Sequence, residues 1–320
     1  MKVVFFGTGS FGLHALEALK GRVELRRVVT RPDSPQGRGR QLAPTPVRAL
    51  ALGLQLPCDA PESANAPEYL STLAALEPDL FIVADYGEIL RKGLRDLPRI
   101  GAFNLHASIL PRYRGAAPVV HALLCGEKVT GVSLFRLERS VDSGPIVDLK
   151  EVEVDPLETA GELEERLSRV AADLLLRNLD AFLSGTFRET RQDENLATFA
   201  PKIEKSQGSI SWDSEPEKLK DFVRALNPWP GAFSFLHSGA REPERTIFLR
   251  VRPRLEGSPS PAAAGTIEEV RKETFCVRCR GGAVEVLQIQ RAGKLAMDAA
   301  SYLRGRQLGP GDFFGPAEVR

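Results

Sequence analysis

The sequence is poor in cysteine and has no long apolar run. Its 320 residues include four cysteines, and this low number in a long chain argues against a fold held by disulfides. No apolar run approaches the roughly 18 residues that a membrane-spanning helix needs. The first apolar stretch ends at Gly7, which fits a core strand better than a signal peptide. We therefore expect a cytoplasmic protein without a membrane segment.

The chain also lacks a strong excess of charge of either sign. Lys and Arg number 43 against 42 Asp and Glu, a formal net charge of +1, which does not by itself indicate a nucleic-acid-binding protein. Residues 208–320 carry 17 Lys and Arg against 14 Asp and Glu, so the C-terminal part is the more basic one. With 42% hydrophobic residues over this length, the composition predicts an ordinary globular protein of two domains.

Cys276 and Cys279 have the spacing of a metal or redox pair. A structural zinc site would need a second such pair or nearby histidines, and the sequence has neither. The residues around them alternate like a strand, which would place the two sulfur atoms on opposite faces. We therefore expect no metal here, and whether the pair has any role stays open.

Residues Gly7–Gly12 match the G-x-G-x-x-G pattern of dinucleotide-binding proteins, between a predicted strand and a predicted helix. That fingerprint also needs an acidic residue about 20 positions further on, at the end of the second strand. Glu24 comes too early, and the predicted strand Leu25–Thr30 leads into Arg31. We interpret the glycines as a tight turn that lets the helix pack on the strand. NAD(P) binding is the less favoured alternative.

The most informative stretch is Gly101–Pro118, which begins as a strand and breaks at Pro111. Asn104 and His106 are two residues apart, so in a strand they point to the same face, where a core would carry aliphatic side chains. A turn-like run further on supplies Asp142, a carboxylate that can orient His106 and balance its charge. A lone histidine would more often be a satisfied core residue, but the combination of amide, imidazole and carboxylate favours a catalytic site.

These residues lie in motifs that resemble those of the folate-dependent formyltransferases. The segment Asn-x-His-x-Ser-x-Leu-Pro begins at Asn104, and Arg-x-Arg-Gly-Ala-Ala-Pro and Val-Asp-Ser-Gly follow it. The resemblance continues over nearly the whole chain, in the Gly-rich first turn and in segments that begin at Arg31, Ala84, Asn227 and Ala292. These segments make the members that act on methionyl-tRNA the best match. Gly9 is a mild departure, because those members commonly have Gly-Thr-Pro at this turn.

The resemblance implies an α/β fold with two domains. Residues 1–190 would form a Rossmann-like formyltransferase domain with an open, mostly parallel sheet, 191–207 a linker, and 208–320 an OB-like β-barrel that binds tRNA. The implied activity is transfer of the formyl group of 10-formyltetrahydrofolate, a co-substrate, to the free amino group of initiator methionyl-tRNA in translation initiation. No metal is required, and we expect a monomer.

The resemblance also assigns roles to residues. Asn104, His106 and Asp142 would form the catalytic set, in which the first two stabilise an oxyanion. Six residues at the ends of two predicted strands would contact the folate: Tyr86, Gly87, Ser108, Ile109, Leu110 and Pro111. Five cations would contact the tRNA, the first two of them at the acceptor arm: Arg38, Arg40, Lys294, Arg304 and Arg306.

Two other functions remain open at this stage. A sugar-nucleotide N-formyltransferase would share the folate donor and the catalytic set, but a small acceptor gives no reason for the arginine-rich loop 31–46. Loops of this length are usually functional or disordered, and an arginine between glycines can reach phosphates and bases. A non-enzymatic module that senses nucleotides or binds RNA gives no reason for the catalytic set.

Overall fold

The computed structural model of the protein describes residues 1–36, 41–254, 262–309 and 311–318. Contacts among residues divide the chain into two compact units. Unit 1 comprises Met1–Pro118, Lys128–Val154 and Glu162–Pro201, and unit 2 comprises Val119–Glu127, Asp155–Gly161 and the chain from Lys202 onward. The predicted boundaries 1–190, 191–207 and 208–320 stay a prediction, and residues 191–201 of the predicted linker lie in unit 1.

The described residues form sixteen strands and eight α-helices. The strands are β1 Lys2–Gly7, β2 Glu24–Val29, β3 Ser34–Gln36, β4 Gln41–Ala43, β5 Cys58–Asp59, β6 Leu80–Ala84, β7 Gly101–His106, β8 Val129–Arg136, β9 Ile146–Glu153, β10 Ala232–His237, β11 Glu244–Arg254, β12 Ile267–Val270, β13 Phe275–Cys279, β14 Gly282–Arg291, β15 Ala296–Asp298 and β16 Phe313–Gly315. The helices are α1 Leu13–Leu19, α2 Pro46–Gly53, α3 Pro67–Ala74, α4 Lys92–Arg95, α5 Pro118–Leu124, α6 Ala160–Ser184, α7 Pro216–Ala225 and α8 Ala299–Gly305.

Unit 1 is built on a seven-stranded sheet in the order β5-β2-β1-β6-β7-β8-β9. The first five strands of this order are parallel to their neighbours, and β8 and β9 are antiparallel. All five residues of β6 are buried, as expected for a central parallel strand covered on both faces. The carboxyl ends of β1, β6 and β7 therefore meet at one edge of the sheet, where open α/β sheets bind ligands.

Unit 2 contains an antiparallel sheet in the order β12-β13-β14-β11-β10-β16, with β15 paired to β14. The two ends of this order approach each other, because Phe314 N–H donates to the Gly265 carbonyl at 2.8 Å. Gly265 has a φ of +93°, and a Cβ there would lie 2.1 Å from the Phe314 carbonyl oxygen, so only glycine permits this approach. The result is a nearly closed barrel, with Phe248 and Phe275 in its core.

The predicted fold class is confirmed, and one local prediction needs correction. The stretch predicted as a loop from 31 to 46 contains the two short paired strands β3 and β4, whose connecting residues 37–40 lie outside the described chain. Cys276 and Cys279 are both buried on β13 as free thiols. Within the described residues, no helix is long and apolar enough to cross a bilayer, and no group of three or more His, Cys, Asp or Glu could hold a metal ion.

Candidate active site

Asn104 and His106 lie at the carboxyl end of β7, in the middle of the unit 1 sheet. Asn104 is opposite Val83 of β6, and His106 is opposite Ser133 of β8. His106 is 6% exposed, and its ring contacts Phe135 edge to face with 6.3 Å between the ring centres. The two polar side chains therefore share one face of a strand whose other residues are buried, as the sequence predicts.

The His106 ring is oriented by a backbone group. Its Nε2 lies 2.9 Å from the carbonyl oxygen of Tyr113. Because a carbonyl oxygen can only accept, Nε2 carries the ring proton in this arrangement. Any second proton on the ring is then held at Nδ1, and Asp142 Oδ2 lies 3.7 Å from that atom. The imidazole thus lies between two protein oxygens, with the Tyr113 carbonyl at Nε2 and the Asp142 carboxylate at Nδ1.

Asp142 lies in the turn between β8 and β9, with a φ of +51°. Its Oδ2 accepts the backbone N–H of Gly115 at 2.7 Å. The side chain is 12% exposed, so the carboxylate faces His106 and the chain after Tyr113 more than it faces solvent. The structure therefore brings Asp142 to His106, although the separation fits an ion pair and is too long for a direct hydrogen bond.

The six residues predicted to contact folate lie in two loops that follow β6 and β7. The side chains of Tyr86, Ser108 and Leu110 are buried, at 2%, 0% and 3% exposure. Gly87, Ile109 and Pro111 keep accessible surface; the backbone conformation of Gly87, with a φ of +84°, favours glycine. Three of the six are therefore buried and three keep surface that a ligand could reach, and the folate contacts of all six stay a prediction.

The loop after β7 is fixed by hydroxyl groups. The Ser108 hydroxyl donates to the Arg112 carbonyl at 2.6 Å, and the Ser133 hydroxyl donates to the Ser108 carbonyl at 2.8 Å. The same Ser133 oxygen accepts the backbone N–H of Leu110 at 3.0 Å. These bonds satisfy buried polar groups and hold the loop in one conformation before any ligand binds.

Asp85, at the end of β6, has a contact that the sequence does not indicate. Its carbonyl accepts the backbone N–H groups of Thr8 and Gly9, at 2.9 and 3.3 Å. A Cβ on Gly9 would lie 1.8 Å from Asp85 Oδ2. A proline at position 9 would add such an atom and remove one of the two N–H donors. The carboxylate and the carbonyl of Asp85 thus both lie close to Gly9, and a side chain at position 9 would require the carboxylate to move.

The charge of Asp85 is disfavoured by its surroundings. Although the residue keeps exposed surface, desolvation by neighbouring atoms raises the pKa of its carboxyl to about 6, and the negative charge of Glu164 adds to the rise. An acid with this pKa at the edge where ligands bind titrates close to neutral pH.

Both parts of the chain match families of known proteins. Residues 1–179 match the family described as formyl transferase, and residues 202–307 match the formyl transferase C-terminal domain. The chain belongs to the formyl transferase family.

Relatives of this family resemble the chain over its whole length. The methionyl-tRNA formyltransferase of Methylobacterium sp. (strain 4-46) is 43% identical over 312 residues, which are 97% of this chain and 98% of that protein. The fold is shared with the solved methionyl-tRNA formyltransferase from Clostridium thermocellum, at a TM-score of 0.56 and 18% identity over 79% of this chain and 94% of that one. It is also shared with an N-formyltransferase from Helicobacter canadensis solved with folinic acid and dTDP-3-aminofucose, at a TM-score of 0.64 and 17% identity over 91% and 99%.

The cations predicted to meet tRNA in this formyl transferase have different surroundings. Arg38 and Arg40 lie outside the described residues. Lys294 and Arg304 are exposed, and Arg304 Nη2 donates to the Ser301 hydroxyl at 2.6 Å. Both of these exposed side chains carry a charged end that can reach an anion, so their role stays a prediction.

Arg306 differs from the other predicted tRNA contacts. Its side chain is 9% exposed, and Nη1 donates to the carboxylate of Glu244, which also accepts from Arg291. A guanidinium buried in this way is held by a carboxylate, which it shares with Arg291. Arg306 is therefore less accessible to a phosphate than Lys294 and Arg304, and its tRNA contact stays a prediction.

Sequence reasoning missed the backbone contribution to this site. The Tyr113 carbonyl and the Gly115 N–H hold His106 and Asp142, and every residue of the chain except proline carries the same two groups. Asp85 belongs to the Ala-Asp-Tyr-Gly segment that begins at Ala84, and nothing in that segment predicts a raised pKa for its carboxyl. A carboxylate directly after a buried apolar strand is the one sequence feature that could have drawn attention to it.

Proposed function

We propose that the chain transfers the formyl group of 10-formyltetrahydrofolate to the α-amino group of methionyl initiator tRNA. The observation that carries this proposal is the 43% identity to a methionyl-tRNA formyltransferase over nearly the full length of both chains. Such coverage includes the unit 2 barrel as well as the catalytic unit. A folate donor is supported by the family and by the folinic acid bound to the Helicobacter canadensis relative.

The donor would lie against the two loops at the carboxyl ends of β6 and β7. Gly87, Ile109 and Pro111 keep accessible surface there, and the hydroxyl bonds of Ser108 and Ser133 hold the second loop in place. A preformed loop of this kind loses little conformational entropy when a flat heterocycle binds. We assign the pterin to this edge.

The reaction joins the amine nitrogen to the formyl carbon. The amine attacks that carbon, and the carbonyl oxygen becomes an oxyanion, to which the Asn104 amide donates a hydrogen bond. The nitrogen then loses a proton, the bond between the formyl carbon and the folate nitrogen breaks, and that nitrogen gains a proton. We assign His106 to proton transfer and no longer to the oxyanion, because Tyr113 engages its Nε2 and its Nδ1 faces Asp142. His106 and Asp142 hold the proton in transit at Nδ1.

The tRNA acceptor would meet cations in both units. Arg38 and Arg40 are assigned to the acceptor arm, and Lys294 and Arg304 to phosphates at the surface of the barrel. Phosphate contacts fix the position of a nucleic acid and make its binding depend on salt. We leave Arg306 out of this set, because its side chain is buried against Glu244.

The experiment that tests the function supplies purified protein with 10-formyltetrahydrofolate and one of two acceptors. Charged initiator tRNA should be formylated at a rate proportional to enzyme concentration, and an amino-sugar nucleotide should not. Formylation of the amino-sugar nucleotide with the tRNA left unmodified would overturn the proposal in favour of a sugar N-formyltransferase. Uncharged tRNA is the matched control, because it binds the same cations but offers no amine.

A further inference from the structure

The segment from Arg191 to Ala200, predicted as a linker, is packed against the catalytic loops. Thr198 is bonded through its carbonyl to Arg114 N–H at 2.9 Å and through its hydroxyl to Tyr113 N–H. The Ala200 N–H returns a bond of 2.7 Å to the Arg114 carbonyl. These contacts lie within unit 1, so this segment forms part of the wall of the site.

Both ends of the Gln192 side-chain amide make hydrogen bonds. Its Nε2 donates to the carbonyls of Asp142 and Gly144, at 2.8 and 2.7 Å. Its Oε1 accepts from Nη2 and Nε of Arg114, at 2.7 and 3.1 Å. Both N–H groups and both lone-pair directions of the amide are thus occupied.

The two groups joined by Gln192 belong to two different catalytic loops. Arg114 lies in the loop that holds His106 through Tyr113 and supplies the Gly115 N–H to Asp142. The Asp142 carbonyl belongs to the turn after β8. Arg114 is 4% exposed, and the largely exposed carboxylate of Glu194 covers its outer side through Nη1 and Nη2, both at 2.8 Å.

We propose that Gln192 is a positioning residue that holds the Asp142 turn against the His106 loop. The inference rests on the proposed formyl transfer and adds to it a residue outside the catalytic set. Asp142 has a left-handed backbone, and the backbone N–H of Gly115 donates to its carboxylate. The amide of Gln192 fixes the main chain behind that carboxylate, which keeps Oδ2 within reach of His106 Nδ1.

Gln192→Glu keeps one set of Gln192 contacts, those with Arg114, and disrupts the other, those with the Asp142 turn. A carboxylate keeps the acceptor for Arg114, but it places a negative oxygen where Nε2 now donates to two carbonyls. The Asp142 turn should then move away from residue 192, while Arg114 stays hydrogen-bonded to the new carboxylate. Glu194→Gln is the matched control, since it removes a charge beside the same Arg114, keeps an acceptor oxygen and touches no part of the Asp142 turn.

Formylation kinetics of these variants test the proposal. Misplacement of a catalytic group by about 1 Å can lower a rate by about a hundredfold. We expect Gln192→Glu to lower kcat by about 10- to 100-fold with little change in KM for either substrate, and Glu194→Gln to stay within about twofold of the wild type. A wild-type kcat for Gln192→Glu overturns the proposal.

A second comparison separates positioning from general damage to the fold. In an Asp142→Ala background the carboxylate is absent, so Gln192→Glu should cost no more than about a further twofold in kcat. Additive losses in the double variant would mean that Gln192 acts independently of Asp142 and would overturn the proposal.

A third readout needs no substrate and remains valid if the formyl transfer itself is not found. The Gly115 amide proton is bonded to Asp142 Oδ2, so its NMR resonance and its exchange protection report the position of that carboxylate. Both should change in Gln192→Glu and stay as in the wild type in Glu194→Gln. An unchanged Gly115 resonance in Gln192→Glu contradicts the positioning role, whereas a wild-type protein that transfers no formyl group contradicts only the proposed function.

Discussion

The carboxylate of Asp142 lies 3.7 Å from His106 Nδ1, at the ring nitrogen that does not donate to Tyr113. The histidine therefore keeps one proton at Nε2, and its Nδ1, beside the negative charge of Asp142, is the atom that can gain or lose a second proton. The proposed catalytic pair is thus assembled from a strand and a turn that are distant in sequence, with backbone groups fixing both partners.

Asp142→Asn should lower kcat by about a hundred- to a thousandfold, the range seen when one stabilising group is removed from an active site. The amide can still accept the Gly115 N–H, and asparagine tolerates the φ of +51°. It cannot balance a charged imidazole. Turnover at saturating substrates measures the loss, and thermal unfolding checks that the fold is kept; wild-type turnover would exclude Asp142 from catalysis.

Asp85→Asn should change how stability depends on pH. The folded-state pKa of Asp85 is about 6, against an ordinary value of 3.8, so the folded state holds its proton more tightly than the unfolded state does. The wild type should therefore lose stability relative to Asp85→Asn as pH rises from about 4 to about 6, and the difference should level off above that. Urea unfolding of both proteins at several pH values measures this; a constant difference would contradict the raised pKa.

Gly9→Ala should destabilise the protein by about 0.5–1.5 kcal/mol, the cost of forcing one side chain away from its preferred rotamer. The new methyl would meet Asp85 Oδ2 at 1.8 Å, so the carboxylate must turn away. In an Asp85→Gly background, where glycine accepts the φ of +48°, the same change should cost much less. Equal costs in the two backgrounds, measured by denaturant unfolding, would argue against this steric coupling.

The basic residues of unit 2 should fall into two classes. Lys294→Ala and Arg304→Ala should each reduce the salt dependence of tRNA binding, by about one in the slope of log K against log salt, without changing stability. Arg306→Ala should instead lower stability by about 1–3 kcal/mol, because it leaves Glu244 short of a buried donor. Filter binding over a salt series and thermal unfolding distinguish the classes, and a reversed pattern would restore Arg306 to the tRNA surface.

Arg38→Ala should lower kcat/KM for charged initiator tRNA by about tenfold or more, equivalent to about 1.4 kcal/mol, and leave folate binding unchanged. Gly37 and Gly39 flank this arginine in the sequence, which favours reach toward a partner over packing. Kinetics with varied tRNA, beside a titration of the folate, measure both effects. Unchanged tRNA kinetics would remove the main reason for preferring a tRNA over a small acceptor.

The sequence predicted the side chains of the site better than the groups that hold them. Asn104 and His106 share a face because strand periodicity is local, and the predicted approach of Asp142 to His106 is present in the structure. The Tyr113 carbonyl could not be predicted, since a backbone group has no sequence signature. Gln192 was counted as linker for a similar reason, because its partners lie 50 and 78 residues away.

In unit 2, the charge of a residue in the sequence did not show whether its side chain is exposed to a partner. Arg306 looks like Arg304 in the sequence, but its partner Glu244 lies 62 residues earlier, on a strand that meets the chain end only in the folded barrel. The fold class, in contrast, was implied by the family resemblance, and local patterns in the structure agree with it, such as the buried apolar strand β6 and the short alternating strand β10 of the barrel.

The most direct test of the central claim is a single turnover with 10-formyltetrahydrofolate labelled at the formyl carbon. Enzyme in excess is mixed with this donor and methionyl initiator tRNA, and the label on the methionine amine is followed in time. We predict full transfer by the wild type and a rate at least about a hundredfold lower in Asn104→Ala, which removes the oxyanion donor. Failure of the wild type to label the tRNA, or an Asn104→Ala rate equal to that of the wild type, would contradict the account.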